Sequence, residues 1–403
     1  MTRRMSADTI VIGSGAGGAV AFRDLAGGGV DVLMVEEGPR VLAADLPPEI
    51  AARTAMTYRD GGLQPILGNP LIPFAEGRLL GGSTEINGGL LWRTPEWVMR
   101  DWRARGLFAD LTGDELGALA SGIERDLSVV EAAHDPRIDT DSELIRSGAE
   151  SLGWKVSRVP RAVPDCARSN LCASVCPAGA KRSMSATYIP AGELAGGRVQ
   201  PNVRITRLKG DRGRVLGAHG VDTRTGEAIE LRASRFILAA GTLHSPSLLA
   251  TGMPWRPRVA RLGLHLNAKV IGVFPEPLRA DRSTIFTWQV HEFMREGALI
   301  MAANLRPEYL MMSTSGAGND TVLALRRDYE HVGLFTTQIR PHGYGRIIIA
   351  GGRSVPVFRL NGRDVSLLAR SVLRTVELLF ERNATRVYLP LAGVPHADSL
   401  PEA

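Results

Sequence analysis

Apolar residues follow two rhythms along this chain. Near the N-terminus they gather in short unbroken runs rich in β-branched residues, as strands buried on both faces require. Thr9-Ile10-Val11-Ile12 is one such run and Val30 to Val35 another. An alanine-rich helical stretch, Ala19 to Ala26, lies between them, and Gly27-Gly28-Gly29 stops it. Arg235 to Ala240 forms a third run ending at Gly241, after which Ser245-Pro246 opens a helix. From Val270 the rhythm changes. Ile285 to Val290, Leu299 to Ala303, Leu334 to Arg340 and Arg346 to Ile349 are short, partly alternating runs between glycines and prolines. That pattern predicts an antiparallel sheet rather than βαβ units. Arg363 to Arg382 reads as a helix with Val365, Leu368, Val372, Val376 and Leu379 on one core-facing stripe. Arg386-Val387-Tyr388-Leu389-Pro390 starts a further strand.

The first run leads straight into Gly13-Ser14-Gly15-Ala16-Gly17-Gly18. Gly13 permits a tight turn, Gly15 lets backbone approach a pyrophosphate, and Gly18 lets the helix pack close to the strand. The helix N-terminus then offers unpaired N–H groups and the positive end of its dipole to phosphates. Glu36, followed by Glu37, lies 23 residues beyond Gly13, where a carboxylate can accept hydrogen bonds from ribose hydroxyls. Glycines alone would also suit a βα turn with no ligand. Strand, turn, helix, second strand and acid in that order predict a dinucleotide site.

A further segment bears on which dinucleotide. Gly77-Arg78-Leu79-Leu80-Gly81-Gly82-Ser83-Thr84-Glu85-Ile86-Asn87-Gly88 resembles the glucose-methanol-choline oxidoreductases, whose signature reads G-R-x-L-G-G-S-S-x-I-N-G. Ala239-Ala240-Gly241-Thr242-Leu243-His244-Ser245-Pro246 resembles a second stretch of that family, and Val203 to Ile205 more loosely its adenine-side strand. The resemblance implies FAD as cofactor and hydride transfer from an alcohol carbon to the flavin. It maps Gly81, Gly82, Ser83, Asn87 and Gly88 onto flavin-contacting positions. Arg78, Ala240 and Gly241, with the Gly13–Gly18 turn and the Glu36-Glu37 pair, complete the expected cofactor set. The fold implied is α/β: a Rossmann-like FAD-binding domain (1–154 and 196–268) with an inserted α+β substrate domain (269–380) built on an antiparallel sheet. Residues 155–195 would form a cysteine-containing connection, and 381–403 the start of an incomplete return to the FAD domain.

All three cysteines fall in Cys166-x5-Cys172-x3-Cys176-Pro177. This segment resembles catalytic subunits of FAD-dependent glucose, gluconate and fructose dehydrogenases, where such cysteines hold a [3Fe-4S] cluster; soft thiolates suit iron. Buried free thiols or one disulfide remain open, and fatty-alcohol oxidases of the superfamily are also cysteine-rich here. Zinc fits poorly, with no histidine nearby as a fourth ligand. A cluster would pass electrons singly to an acceptor protein.

The family's H-P-x-G-T histidine, which takes the alcohol proton, and its N-P stretch have no match in these 403 residues. His134, His219, His244, His265, His291, His331, His342 and His396 all read as surface or core histidines, so no catalytic residue is assigned. The expectation is therefore an alcohol or sugar dehydrogenase that needs a C-terminal segment or a partner chain to complete it. A non-catalytic FAD-binding relay subunit and a truncated remnant are the alternatives.

Composition changes little. The formal charge of +6 rests on scattered arginines beside acids, with only Lys155, Lys181, Lys209 and Lys269 as lysines, so no nucleic-acid face is expected. No apolar run approaches the ~18 residues of a membrane helix, and no signal-peptide pattern opens the chain. A cytoplasmic protein acting on a small-molecule alcohol or sugar is the expectation.

Overall fold

Two large sheets organise the molecule. The computed structural model describes residues 2–108, 110–211, 213–252, 258–314, 317–391 and 394–403. The first sheet has six strands in the order Arg198–Gln200, Val32–Val35 (β2), Thr2–Ile12 (β1), Ala228–Leu238, Arg214–Asp222 and Val203–Asp211. Its first four strands run parallel and the last two antiparallel. Helix α1, Ala16–Gly27, crosses from β1 to β2 and buries Ala19, Phe22 and Ala26. This is the Rossmann-like arrangement that the opening residues predict.

Element ends differ from their apolar runs for a simple reason. β1 begins at Thr2, because Thr2 to Ala7 pair with Ala228 to Ala233 through backbone groups alone and need no apolar side chains. Helix Gly241–Gly252 starts ahead of Ser245 and carries Pro246 inside it.

The second sheet is antiparallel and seven-stranded: Val394–Ala397, Arg386–Leu391, Leu266–Val273, Val332–Ile339, Ala298–Ala302, Trp288–Val290, Val156–Arg158. Helices Gly362–Glu381 and Thr140–Ser151 pack on one face through Ile145, Val270, Ile300, Phe335, Val376 and Leu379. Three expectations need correction. Arg386–Leu391 extends this sheet by pairing with Ile271 to Val273, and Val394–Ala397 pairs with Arg386–Leu391 in turn, rather than turning back toward β1. Val156–Arg158, within the expected connection, forms its other edge. The Arg346–Ile349 run lies in a separate three-stranded sheet with Val259–Leu262 and Arg353–Val357.

The long helix is also turned relative to the apolar stripe. Asp364, Leu367, Ser371 and Thr375 are fully buried, whereas Val365 is exposed. Asp364 sets that rotation: its carboxylate accepts the His342 and Gly343 N–H groups at 2.6 and 3.2 Å, and apolar periodicity does not register a buried acid.

Asp141, at the start of the Thr140–Ser151 helix, is buried with Oδ2 unpartnered among the described residues. Burial pushes its carboxyl up from 3.8 to about 7. The folded state therefore holds a proton that the unfolded chain has released, and the stability this confers is lost as pH rises from 3.8 through 7. Asp141→Asn should accordingly exceed the parent at pH ~8.5 by on the order of 2–4 kcal/mol, with the gap closing toward pH ~5. Denaturant unfolding at the two pH values checks it; an equal gap at both contradicts the assignment.

Candidate functional site

A cleft of about 780 Å³ opens where β1, β2 and the Ala228–Leu238 strand end. This is the carboxyl edge at which parallel α/β sheets take ligands. Gly13, Ser14, Gly15, Ala16, Gly17, Glu36 and Glu37 line it, together with Gly82, Ser83, Asn87, Ala240 and Gly241. Twelve of the sixteen expected cofactor residues thus meet at one cavity, though they come from three separate stretches of sequence.

The turn glycines divide by task. A Cβ on Gly13, whose φ is +100°, would lie 2.3 Å from the Ala239 carbonyl oxygen. One on Gly18 would lie 1.9 Å from the Gly13 oxygen. Gly18 therefore sits behind the cleft as packing. A Cβ on Gly15 meets nothing within 4 Å, because Gly15 faces the open cavity. Gly15 also N-caps α1 with no side-chain hydrogen bond, so the first-turn N–H groups remain available to an anion.

Glu36 is buried at the end of β2, with Oε2 accepting Ser14 N–H at 3.1 Å and Ser14 Oγ–H at 2.6 Å. Its Oε1 accepts Gly38 N–H at 2.9 Å and keeps a free lone pair. Burial raises this carboxyl above its ordinary value, while the Ser14 and Gly38 donors pull it back. Ser14 Oγ also accepts Gly81 N–H at 2.9 Å, tying the first glycine turn to the Gly81–Gly89 loop.

Arg78, Gly81 and Gly88 do not line the cleft. Arg78 pairs with Glu37 at 3.4 Å. At Gly81, a Cβ would strike Glu85 Oε1 at 2.1 Å, and at Gly88 it would strike Leu90 and Phe286. These residues shape the loop from behind.

Sequence reasoning missed a charged chain along the rim. Arg59 donates to Glu37 at 3.0 and 3.2 Å and pairs with Glu76 at 3.2 Å; His244 Nε2 meets Glu76 at 3.1 Å. Burial works against the Arg59 charge, but the Glu37 hydrogen bond and charge outweigh it. Arg353 reaches the same rim from a distant hairpin. The mutual spacing of such residues carries no motif, so only the fold reveals them.

The ligand set expected of the cysteines finds no support in the structure. Among the described residues no three Cys, His, Asp or Glu side chains gather to hold a metal ion. Cys172 is buried and accepts from Arg161 Nη2 at 3.4 Å, while Cys166 and Cys176 are half-exposed. Their loop is fixed by polar contacts: Asn170 donates to the Ala280 and Ser283 carbonyls at 3.1 and 3.2 Å and accepts Leu305 N–H at 3.0 Å. No helix among the described residues is long and apolar enough to cross a membrane.

Comparison with known proteins agrees with this geometry. An uncharacterized GMC-type oxidoreductase, y4nJ of Sinorhizobium fredii, is 30% identical over 97% of this chain and 77% of its own length. A long-chain-alcohol oxidase of Arabidopsis thaliana, FAO4B, is 27% identical over 68% of this chain, and the match spans 38% of that enzyme. Pyridoxine 4-oxidase from "Mesorbium loti" shares the fold at a TM-score of 0.70 and 17% identity, over 98% of this chain and 85% of that one. The family model described as GMC oxidoreductase matches residues 8–265, and this chain belongs to that family.

Proposed function

We propose that the chain binds FAD and serves an oxidoreductase acting on the CH–OH group of a small-molecule donor. The observation that carries this reading is the uncapped N-terminus of α1 opening on the cleft beside side-chain-free Gly15, with Glu36 behind it. That arrangement suits a pyrophosphate with a ribose on the acid's side. Val203 to Thr206 line the cleft where an adenine would lie.

Bound flavin supplies the hydride acceptor: the donor carbon gives up a hydride, its hydroxyl gives up a proton, and a carbonyl product leaves. The chain's own part is to hold the cofactor and orient it. Gly82, Ser83 and Asn87 bring backbone close to it, and Ser83 Oγ fixes the loop by accepting Gly77 N–H at 3.0 Å. His244 lines the cleft, but Glu76 already engages its Nε2. We assign the proton acceptor to no described histidine and place it on a completing segment or partner chain.

The second sheet bears on donor class. One face is covered by the long helix, where Thr337 Oγ1 and Thr375 Oγ1 lie 2.5 Å apart. The alternate residues face the other way: Asn267 opposite Gln338, and Lys269 opposite Thr336. Lys269 makes no ion pair among the described residues, and burial lowers its ammonium to about 8. This polar row favours a polyhydroxylated or anionic alcohol over an aliphatic one. In anaerobic titrations of the FAD-loaded, completed protein, sugars and polyols should bleach the flavin absorption, and long-chain alcohols should not. Faster bleaching by a long-chain alcohol overturns the donor class; no bleaching by any alcohol, with dithionite still effective, favours an electron-relay role instead.

A further inference from the structure

Two buried cations stand behind the Gly81–Gly89 loop, and the function just proposed uses neither. Lys181 and Arg161 are 4% and 1% exposed, and among the described residues neither makes an ion pair. Lys181 Nζ donates to the carbonyls of Glu85 at 2.6 Å, Asn87 at 2.9 Å and Cys172 at 2.9 Å. Arg161 takes the Gly88 carbonyl in a fork, Nη2 at 2.9 Å and Nε at 3.2 Å, and reaches the Ile285 carbonyl with Nη1 at 3.0 Å. Burial presses the Lys181 ammonium below its ordinary value. Three carbonyl acceptors need three N–H donors, however, which only the protonated amine has, so the site holds it charged.

This has a directional consequence. In a planar trans peptide the C=O and the following N–H point opposite ways. Drawing the Asn87 carbonyl back onto Lys181 turns the Gly88 N–H away from the cation, and that N–H has no partner among the described residues. Asn87 itself lines the cleft. The cysteine loop completes the assembly, with the Cys172 carbonyl on Lys181 and its sulfur on Arg161.

We infer that Lys181 and Arg161 are positioning residues for the flavin. They clamp its loop from behind and add positive charge on that side which favours the two-electron reduced anionic form. The cysteine segment is the brace of this clamp rather than a metal site. The inference rests on the FAD reading above. Its charge component falls off with distance only as Coulomb's law in a medium of low polarity, and the buried Glu85 carboxylate, near enough to favour the Lys181 charge without touching it, offsets part of it.

The test uses FAD-loaded full chains of wild type, R161M, R161K, K181M and C172S, each equilibrated with a reference redox dye of known potential. A second readout is affinity for sulfite, which adds to electron-poor flavins. R161M and K181M should retain FAD, because Gly15 and Glu36 are untouched. Their reduced-to-oxidised flavin ratio at equilibrium should fall about tenfold, and sulfite should bind more weakly by a similar factor. R161K keeps the charge and should stay within about threefold of wild type, which a purely structural role would not predict. Anaerobically purified wild type should carry no iron, and C172S should differ from it in iron content not at all. Should K181M fail to fold, the R161M and R161K pair decides alone. A yellow wild type whose dye equilibrium is the same in R161M overturns the clamp only, whereas a wild type that takes up no FAD overturns the cofactor reading first and the clamp with it. Loss of iron in C172S overturns the brace.

Discussion

Three neighbouring glycines are expected to answer alanine in three different ways. Gly18→Ala should destroy FAD binding together with much of the folded protein. Its new methyl would lie 1.9 Å from the Gly13 carbonyl oxygen, where backbone rather than a flexible side chain has to move. Overpacking of that kind costs on the order of 3 kcal/mol or more. Gly15→Ala should leave folding intact, since its φ of −64° suits any residue and its Cβ meets nothing within 4 Å. The methyl occupies the space reserved for the phosphates, so affinity should drop by about 100-fold or more, with the melting temperature of the FAD-free chain within a few degrees. Gly17→Ala also meets nothing and lies within α1, so it should stabilise the free chain by roughly 0.5–1 kcal/mol with affinity within a few-fold. Thermal unfolding without FAD and flavin-fluorescence titration with it separate the three. Equal losses of affinity at Gly15 and Gly17 would mean that the phosphates do not lie where α1 begins.

That division of labour was partly legible in the sequence. The roles of Gly13, Gly15 and Gly18 follow from the turn that any strand-to-helix crossover of this kind must make, so the order of residues was enough. The antiparallel character of the later sheet was equally legible in short alternating runs. Its membership was not. Arg386–Leu391 carries no mark saying which sheet it will join; only its pairing with Leu266–Val273 decides that. Long-range register is written in packing, and one sequence does not display it. The rim chain from Glu37 through Arg59 and Glu76 to His244 escaped for the same reason, since its members are drawn from one loop and three separate elements. Conversely, the most conspicuous local pattern, three cysteines in eleven residues, finds no support as a ligand set, and the loop's contacts run to Arg161, Lys181 and the Asn170 network.

Glu36→Gln should weaken FAD binding by about 100-fold and abolish its pH dependence. The carboxylate sits where three donors from Ser14 and Gly38 already converge on it, and burial still holds its proton affinity above the ordinary 4.5. Ribose hydroxyls donate hydrogen bonds, and a charged acceptor is worth roughly 1.5–3 kcal/mol per bond, which the amide of glutamine does not match. The amide would also set an N–H against either Gly38 N–H or the Ser14 donors, leaving one of them unpaired. The sign with pH follows from the raised value. Burial raises the empty site's value, and ribose hydroxyls donating to the carboxylate would lower it in the occupied site. Affinity for FAD should therefore decline as pH falls through the empty-site value, above 4.5, and level off once the occupied site is protonated as well. Without FAD the same carboxyl works in the other direction: its contribution to folding is full below 4.5 and is lost as pH rises through its folded value. FAD titrations between pH ~4.5 and ~8 on the parent and on Glu36→Gln test both statements. A variant that binds FAD within about threefold of the parent, with the same pH profile, would show that the ribose is held elsewhere.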